Sequence, residues 1–155
     1  MAKDDNHRGV PAVRVLVVED FEPFRRAIRS ILGNCSGLQI VGEVSDGLEA
    51  VREAEELQPD LILLDIGLPS LDGLAAARRI RTLAPQSRII FVTQESDTAI
   101  VEGALNLGAW GYVVKIQAAT DLPAALDAVL GGGQFVSGGL SAQEFTTQAT
   151  ITSLS

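Results

Sequence analysis

Short apolar runs rich in β-branched and aliphatic residues return five times along this chain, each followed by a stretch with helical spacing. That alternation limits the fold more than any other feature. The runs are Val13 to Val18, Leu38 to Val44, Leu61 to Leu64, Ile89 to Val92 and Tyr112 to Val114. Four of them are apolar on successive residues, the pattern of strands in a parallel sheet whose two faces are both covered by helices. Leu38 to Val44 alternates more, as an edge strand does. Phe24, Ala27, Ile28, Ile31 and Leu32 recur at three- and four-residue spacing, as do Leu122, Ala125, Leu126, Val129 and Leu130, so both sets predict helices. The stretches from Leu48 to Leu57, Leu74 to Leu83 and Ile100 to Leu107 share that pattern, with Asp46, Ser96 and Thr120 expected as N-terminal caps. The order is βα repeated five times. It predicts an α/β, doubly wound, five-stranded parallel sheet with right-handed crossovers, whose ligand site lies beyond the carboxyl ends of the strands where the strand order switches.

Length and charge narrow the function. The chain has 155 residues, 46% of them hydrophobic, enough for one core without metal or disulfide staples. Residues 1–11 read as a flexible polar arm and residues 12–133 as the folded domain. Residues 134–155, which follow Gly131-Gly132-Gly133, read as a linker-like tail rich in Ser, Thr, Gln and Gly. A net charge of -8 repels a phosphate backbone, so direct nucleic-acid binding by this segment is not expected. The single cysteine, Cys35, excludes an intrachain disulfide and suits a reducing compartment, hence a cytoplasmic location. No apolar run approaches the length of a bilayer span, and no signal-peptide core is seen, so no membrane association is expected.

The chemistry gathers at strand ends. The first strand ends in Glu19-Asp20 and the third in Asp65. Each acid alone reads as a solvated loop carboxylate, but three at neighbouring strand ends repel one another unless a cation intervenes. A hard divalent ion with oxygen ligands, Mg²⁺ foremost, is the expected occupant. The fourth strand ends in Thr93 and the fifth in Lys115. A hydroxyl donor and an ammonium opposite a metal-bound carboxylate form a pocket for a group with several anionic oxygens, as phosphoryl transfer to Asp65 requires.

These residues together resemble the receiver domains of response regulators in two-component signalling, most of all those that precede a LuxR-type helix-turn-helix output domain. The resemblance rests on Glu19-Asp20, on Asp65-Ile66-Gly67-Leu68-Pro69-Ser70-Leu71-Asp72-Gly73, on Thr93 and on Gly108-Ala109-Trp110-Gly111-Tyr112-Val113-Val114-Lys115. It implies a flavodoxin-like receiver fold with strand order 2-1-3-4-5. It also implies that Asp65 is the phosphoacceptor and that Asp20 and Asp65 bind Mg²⁺, with Glu19 assisting through water and Gly67 lending its backbone carbonyl. By the same resemblance Thr93 and Lys115 hold phosphoryl oxygens, and Tyr112 is the switch aromatic that turns inward when the threonine moves. The switching surface would be the fourth helix, fifth strand and fifth helix. A cognate histidine kinase or phosphotransfer protein would supply the phosphoryl group, since the sole histidine, His7, lies in the arm. Homodimerisation is expected through one of two helix faces, and Trp110, expected to be partly exposed, is a candidate interface residue.

The chain departs from the family at two positions. Gln94 follows the threonine where a small residue is usual, and Ile116 follows the lysine where proline is common. A trans bond is expected at Ile116, because cis costs a non-proline residue several kcal/mol. Gln94 is the one support for an alternative, a receiver-like interaction module that acts without phosphorylation. The protein is expected to be a switch and not an enzyme. An aspartate-nucleophile phosphatase needs a second acid where Gly67 stands, and a dinucleotide or flavin module needs a glycine- or hydroxyl-rich loop where Glu19-Asp20-Phe21-Glu22-Pro23 stands.

Overall fold

A computed structural model describes residues 11–138. The expected arm, apart from Pro11, and the tail beyond Gly138 lie outside the described residues, as does His7. Strands β1 (Val13–Val18), β2 (Leu38–Val44), β3 (Leu61–Leu64), β4 (Arg88–Thr93), β5 (Gly111–Val114) and β6 (Phe135–Val136) alternate with helices. These are α1 (Glu22–Gly33), α2 (Gly47–Leu57), α3 (Gly73–Leu83), α4 (Thr98–Asn106) and α5 (Ala118–Leu130), with a 3-10 turn at Lys115–Gln117. The sheet order is β2-β1-β3-β4-β5-β6, and every pairing is parallel.

The apolar runs follow from this architecture. Along each inner strand successive side chains point to opposite faces, and both faces are buried. Leu16, Val18, Ile62, Leu64, Phe91 and Tyr112 pack with Ala50, Ala76, Ile80 and Ala104 of α2, α3 and α4. Val15, Val17, Leu61, Leu63, Ile90, Val92 and Val113 pack on the other face with Ile28, Leu122 and Leu126 of α1 and α5. β2, at the sheet edge, is only half-buried.

The expected order 2-1-3-4-5 is present, but the sheet has a sixth strand. Gly132 adopts a φ of +92° and turns the chain back after α5, laying Phe135–Val136 along β5. Phe135 N donates to Trp110 O and Ser137 N to Tyr112 O, at 3.1 and 2.8 Å. The fully buried Ser137 accepts from Val114 N through Oγ at 3.0 Å. A two-residue strand inside a glycine-rich stretch carries no periodicity, so sequence patterning passes over it.

Two of the three expected caps also move. Asp46 caps α2, accepting from Glu49 N at 2.8 Å. α4 is capped by Asp97, one residue beyond Ser96, through Ala99 N. α5 has no side-chain cap, because the Lys115–Gln117 turn runs directly into it and leaves Thr120 inside the helix.

Register positions the site. Val18 pairs with Leu64 across β1 and β3, so Glu19 and Asp65 leave the sheet side by side. Thr93 pairs with Val114, which brings Lys115 out beside Thr93. The loop after Asp65 returns against the strand end at Gly73, whose N donates to Ile66 O at 2.7 Å. A Cβ there would lie 2.0 Å from Asp65 O and 2.7 Å from Ile66 Cα, whereas one at Gly67 would meet nothing within 4 Å. Gly73→Ala is therefore expected to cost about 3 kcal/mol of unfolding free energy through overpacking against backbone. Gly67→Ala should change it by less than about 0.5 kcal/mol. Urea titration followed by circular dichroism measures both; equal stabilities would remove the close approach as a constraint.

Candidate functional site

Five strand-end residues anticipated from sequence meet at the carboxyl edge of the sheet. A cleft of about 440 Å³ is lined by Asp20, Asp65, Gly67, Thr93 and Lys115, with Phe21, Phe24, Gln94 and Glu95 completing it. Glu19, Asp20 and Asp65 each offer an oxygen within 4.8 Å of the others. Glu19 is fully buried, Asp65 is 4% exposed and Asp20 is exposed.

Each group is held by identifiable contacts. Asp65 Oδ1 accepts from Ile66 N at 2.7 Å and Gly67 N at 3.4 Å, while Oδ2 accepts from Lys115 Nζ at 2.9 Å. The same ammonium donates to Glu19 Oε2 at 3.0 Å, which also accepts from Phe21 N at 3.0 Å. Glu19 Oε1 lies 2.9 Å from Lys115 Nζ yet receives no hydrogen bond among the described residues. Burial raises the Glu19 carboxyl above its ordinary value of 4.5, despite its hydrogen bonds to Lys115 and Phe21. For Lys115, burial acts to lower the value, but hydrogen bonds to Glu19 and Asp65 outweigh it and hold the ammonium above its usual range.

An all-oxygen set with one buried oxygen lacking a donor, beside a solvent-facing carboxylate, fits a hard divalent cation such as Mg²⁺. One lysine ammonium facing two buried carboxylates leaves the cluster a surplus of negative charge for such a cation to neutralise.

Thr93 is fully buried, and its Oγ1 accepts from Glu95 N at 3.4 Å. Tyr112 is likewise fully buried and turned inward. Its hydroxyl donates to Glu95 O at 2.8 Å, and its ring lies 6.2 Å from that of Phe91, tilted by 43°. Desolvation, followed by the charges of Glu95, Asp65 and Asp97, pushes the phenol upward and keeps it a donor. Trp110 is half-buried, with the Arg88 guanidinium 4.3 Å above its ring. Gln94 is exposed at the mouth of the cleft. Ile116 is 91% exposed, and among the described residues no peptide bond is cis.

Sequence reasoning missed three contacts. The Glu95 backbone joins Thr93 to Tyr112, and no residue type signals a backbone role. Glu19 turns out to be a direct partner of Lys115. Phe24, one of the helix-periodic apolar residues of α1, lines the cleft, and Lys115 Nζ sits 4.8 Å over its ring.

The chain matches the response regulator receiver domain family over residues 15–127. It is 33% identical over 125 residues to a response regulator, GacA, of Pseudomonas viridiflava, covering 81% of this chain and 58% of that protein. The chain thus spans a little over half the length of such curated relatives. Among solved structures it is similar to a LuxR-family two-component response regulator from Aurantimonas sp. SI85-9A1, with a TM-score of 0.81 and 31% identity, covering 90% of this chain and 99% of that one. It is also similar to the isolated receiver domain of RcsB from Salmonella enterica serovar Typhimurium, determined in the presence of phosphomimetic BeF3-. That match has a TM-score of 0.80 and 28% identity, covering 84% of this chain and 96% of the other.

The raised Glu19 sets a pH dependence. Without a cation, a carboxyl raised in the folded state binds more protons folded than unfolded. Stability then falls as pH rises from 4.5 through the raised value. A cation that needs the ionised carboxylates reverses the trend. Mg²⁺ at 100-fold excess over its dissociation constant should add about 2.7 kcal/mol at pH near 8, and the gain should shrink as pH falls through the raised value. Thermal melts with and without Mg²⁺ across that range test this; a gain independent of pH would place the cation elsewhere.

Proposed function

The chain belongs to the response regulator receiver domain family and is the receiver domain of a two-component response regulator; from that premise we propose that Asp65 is its phosphoacceptor. The observation that carries the proposal is the Asp65 carboxylate, held by Lys115 beside Glu19 and Asp20 at the switch between β1 and β3. In this reading a carboxylate oxygen of Asp65 attacks the phosphorus of a donor, the bond from phosphorus to the donor's leaving group breaks, and an aspartyl phosphate forms. A histidine kinase or phosphotransfer protein is the physiological donor.

The surrounding residues prepare that step. Two backbone N–H groups and the Lys115 ammonium fix the orientation of Asp65 before any donor arrives. Mg²⁺, held by Asp20, Asp65 and the Gly67 carbonyl with Glu19 through water, would neutralise charge on the phosphoryl oxygens. Lys115 follows the transferred group as a cation partner. Thr93 would donate its hydroxyl to another oxygen, a shift that strains its long contact with Glu95 N. Gln94 stands at the cleft mouth and does not seal it, so the phosphorylation-independent alternative loses its support.

The phosphoryl group adds charge and three acceptor oxygens that Thr93 and Lys115 meet only in the modified state. Thr93 and Tyr112 both hold Glu95, so a shift of Thr93 acts on the loop that leads into α4. Couplings of this kind are worth about 1 to 3 kcal/mol, enough to bias partner binding or dimerisation on the α4-β5-α5 surface. A cytoplasmic switch that controls an output domain, as transcription regulation by a longer protein would need, is the role this surface serves.

Incubation of the purified chain with Mg²⁺ and acetyl phosphate, read by intact mass, tests the assignment. One phosphoryl group on the parent and none on Asp65→Asn is the expected result, with Lys115→Ala slowed by about tenfold or more. Modification of the Asp65→Asn variant at the parental rate would assign the acceptor to another residue.

A further inference from the structure

Phe24 has no place in the phosphoryl chemistry as described, yet it touches the residue on which that chemistry turns. Lys115 Nζ lies 4.8 Å over the centroid of its ring, inside the distance at which a ring face attracts a cation. The ring lines the same cleft as Asp65, Thr93 and Lys115. Its backbone is pinned at the start of α1, where Phe24 N donates to Phe21 O at 3.0 Å. The side chain is half-buried and packs against the core formed with α1 and α5.

The other contacts of the ammonium are both liable to change. Lys115 carries three N–H donors, and its described hydrogen bonds go to Asp65 Oδ2 and Glu19 Oε2. In the reading above, Asp65 loses its carboxylate charge when it becomes an acyl phosphate, and a cation competes with the ammonium for Glu19. Among its contacts with the described residues, the ring face is the partner that neither event alters. A lysine on a flexible four-carbon stem, standing at the start of a 3-10 turn, would otherwise be free to swing with whichever carboxylate held it.

We propose that Phe24 is a positioning residue for Lys115, its ring holding the ammonium over the cleft so that it meets the phosphoryl group as Asp65 gives up its charge. The role rests on Asp65 being the phosphoacceptor. It concerns the rate of phosphoryl acceptance and not the fold, since a leucine or methionine at 24 preserves apolar packing and lacks only the ring.

The test compares the parent chain with Phe24→Leu, Phe24→Met and Phe24→Tyr for phosphoryl incorporation from acetyl phosphate with Mg²⁺, alongside their melting temperatures. The ring-less variants should be slower by roughly three- to tenfold, the size a cation–π contact supports, with Tyr restored to about the parental rate. In the parent and Tyr variant, the Lys115 Hε resonances should be displaced upfield by the ring current. The shift on the parent reads the contact with no variant at all, and its absence overturns the proposal. A Leu variant as fast as the parent, or a Tyr variant as slow as Leu, overturns it equally. A parent that accepts no phosphoryl group overturns the Asp65 reading and this role with it, so the two failures are told apart.

Discussion

The arrangement depends on one ammonium placed between two buried carboxylates. Parallel strands buried on both faces must end in polar residues where the sheet meets solvent, and here β1 and β3 end in acids at adjacent register. Glu19 and Asp65 are nearly inaccessible, and two such charges side by side repel one another unless a cation intervenes. Lys115, 2.9 Å from Asp65 and from Glu19, makes the pair tolerable. It crosses from β5 to do so and ties the edge half of the sheet to its centre. It leaves the cluster of three acids short of positive charge, a set that suits a hard divalent cation.

Strand positions were legible because burial on both faces leaves a strong signal. β1, β2 and β3 begin and end where the apolar runs do. β4 and β5 each extend by a residue or two into Arg88, Thr93 and Gly111, which pair with neighbouring strands but break the apolar run. β6 was illegible for the opposite reason. Phe135–Val136 is too short for a period, and its strand character comes from the open edge of β5 that it covers. Asp97 and Ser96 are equally good caps by residue type, and only the geometry of the β4–α4 loop chooses between them.

The acids, Thr93 and Lys115 were legible because strand ends are predictable and their chemistry is specific. What the sequence hid was the pairing. Phe24 belongs to the apolar stripe of α1, and that stripe announces a core face. That one member of it reaches past the core to the ammonium is a consequence of helix placement, which spacing alone does not reveal. Tyr112 was legible as an aromatic, but its partner is a backbone carbonyl, available at any residue.

That partner joins the buried site to the loop at its edge. Glu95 is bonded from both sides, its N–H by Thr93 and its carbonyl by Tyr112. The two side chains come from adjacent strands, β4 and β5, and both are fully buried. In the proposed switch, a Thr93 side chain drawn toward a phosphoryl oxygen would loosen its hold on the Glu95 N–H while Tyr112 keeps the carbonyl. The loop would then turn about that carbonyl, and α4, capped by Asp97 two residues further on, would follow it. Tyr112 also holds β6 through its backbone, its carbonyl accepting from Ser137 N. On that reading, a rigid core with a doubly held loop at its edge would turn a small change at Asp65 into a displacement for a partner to read.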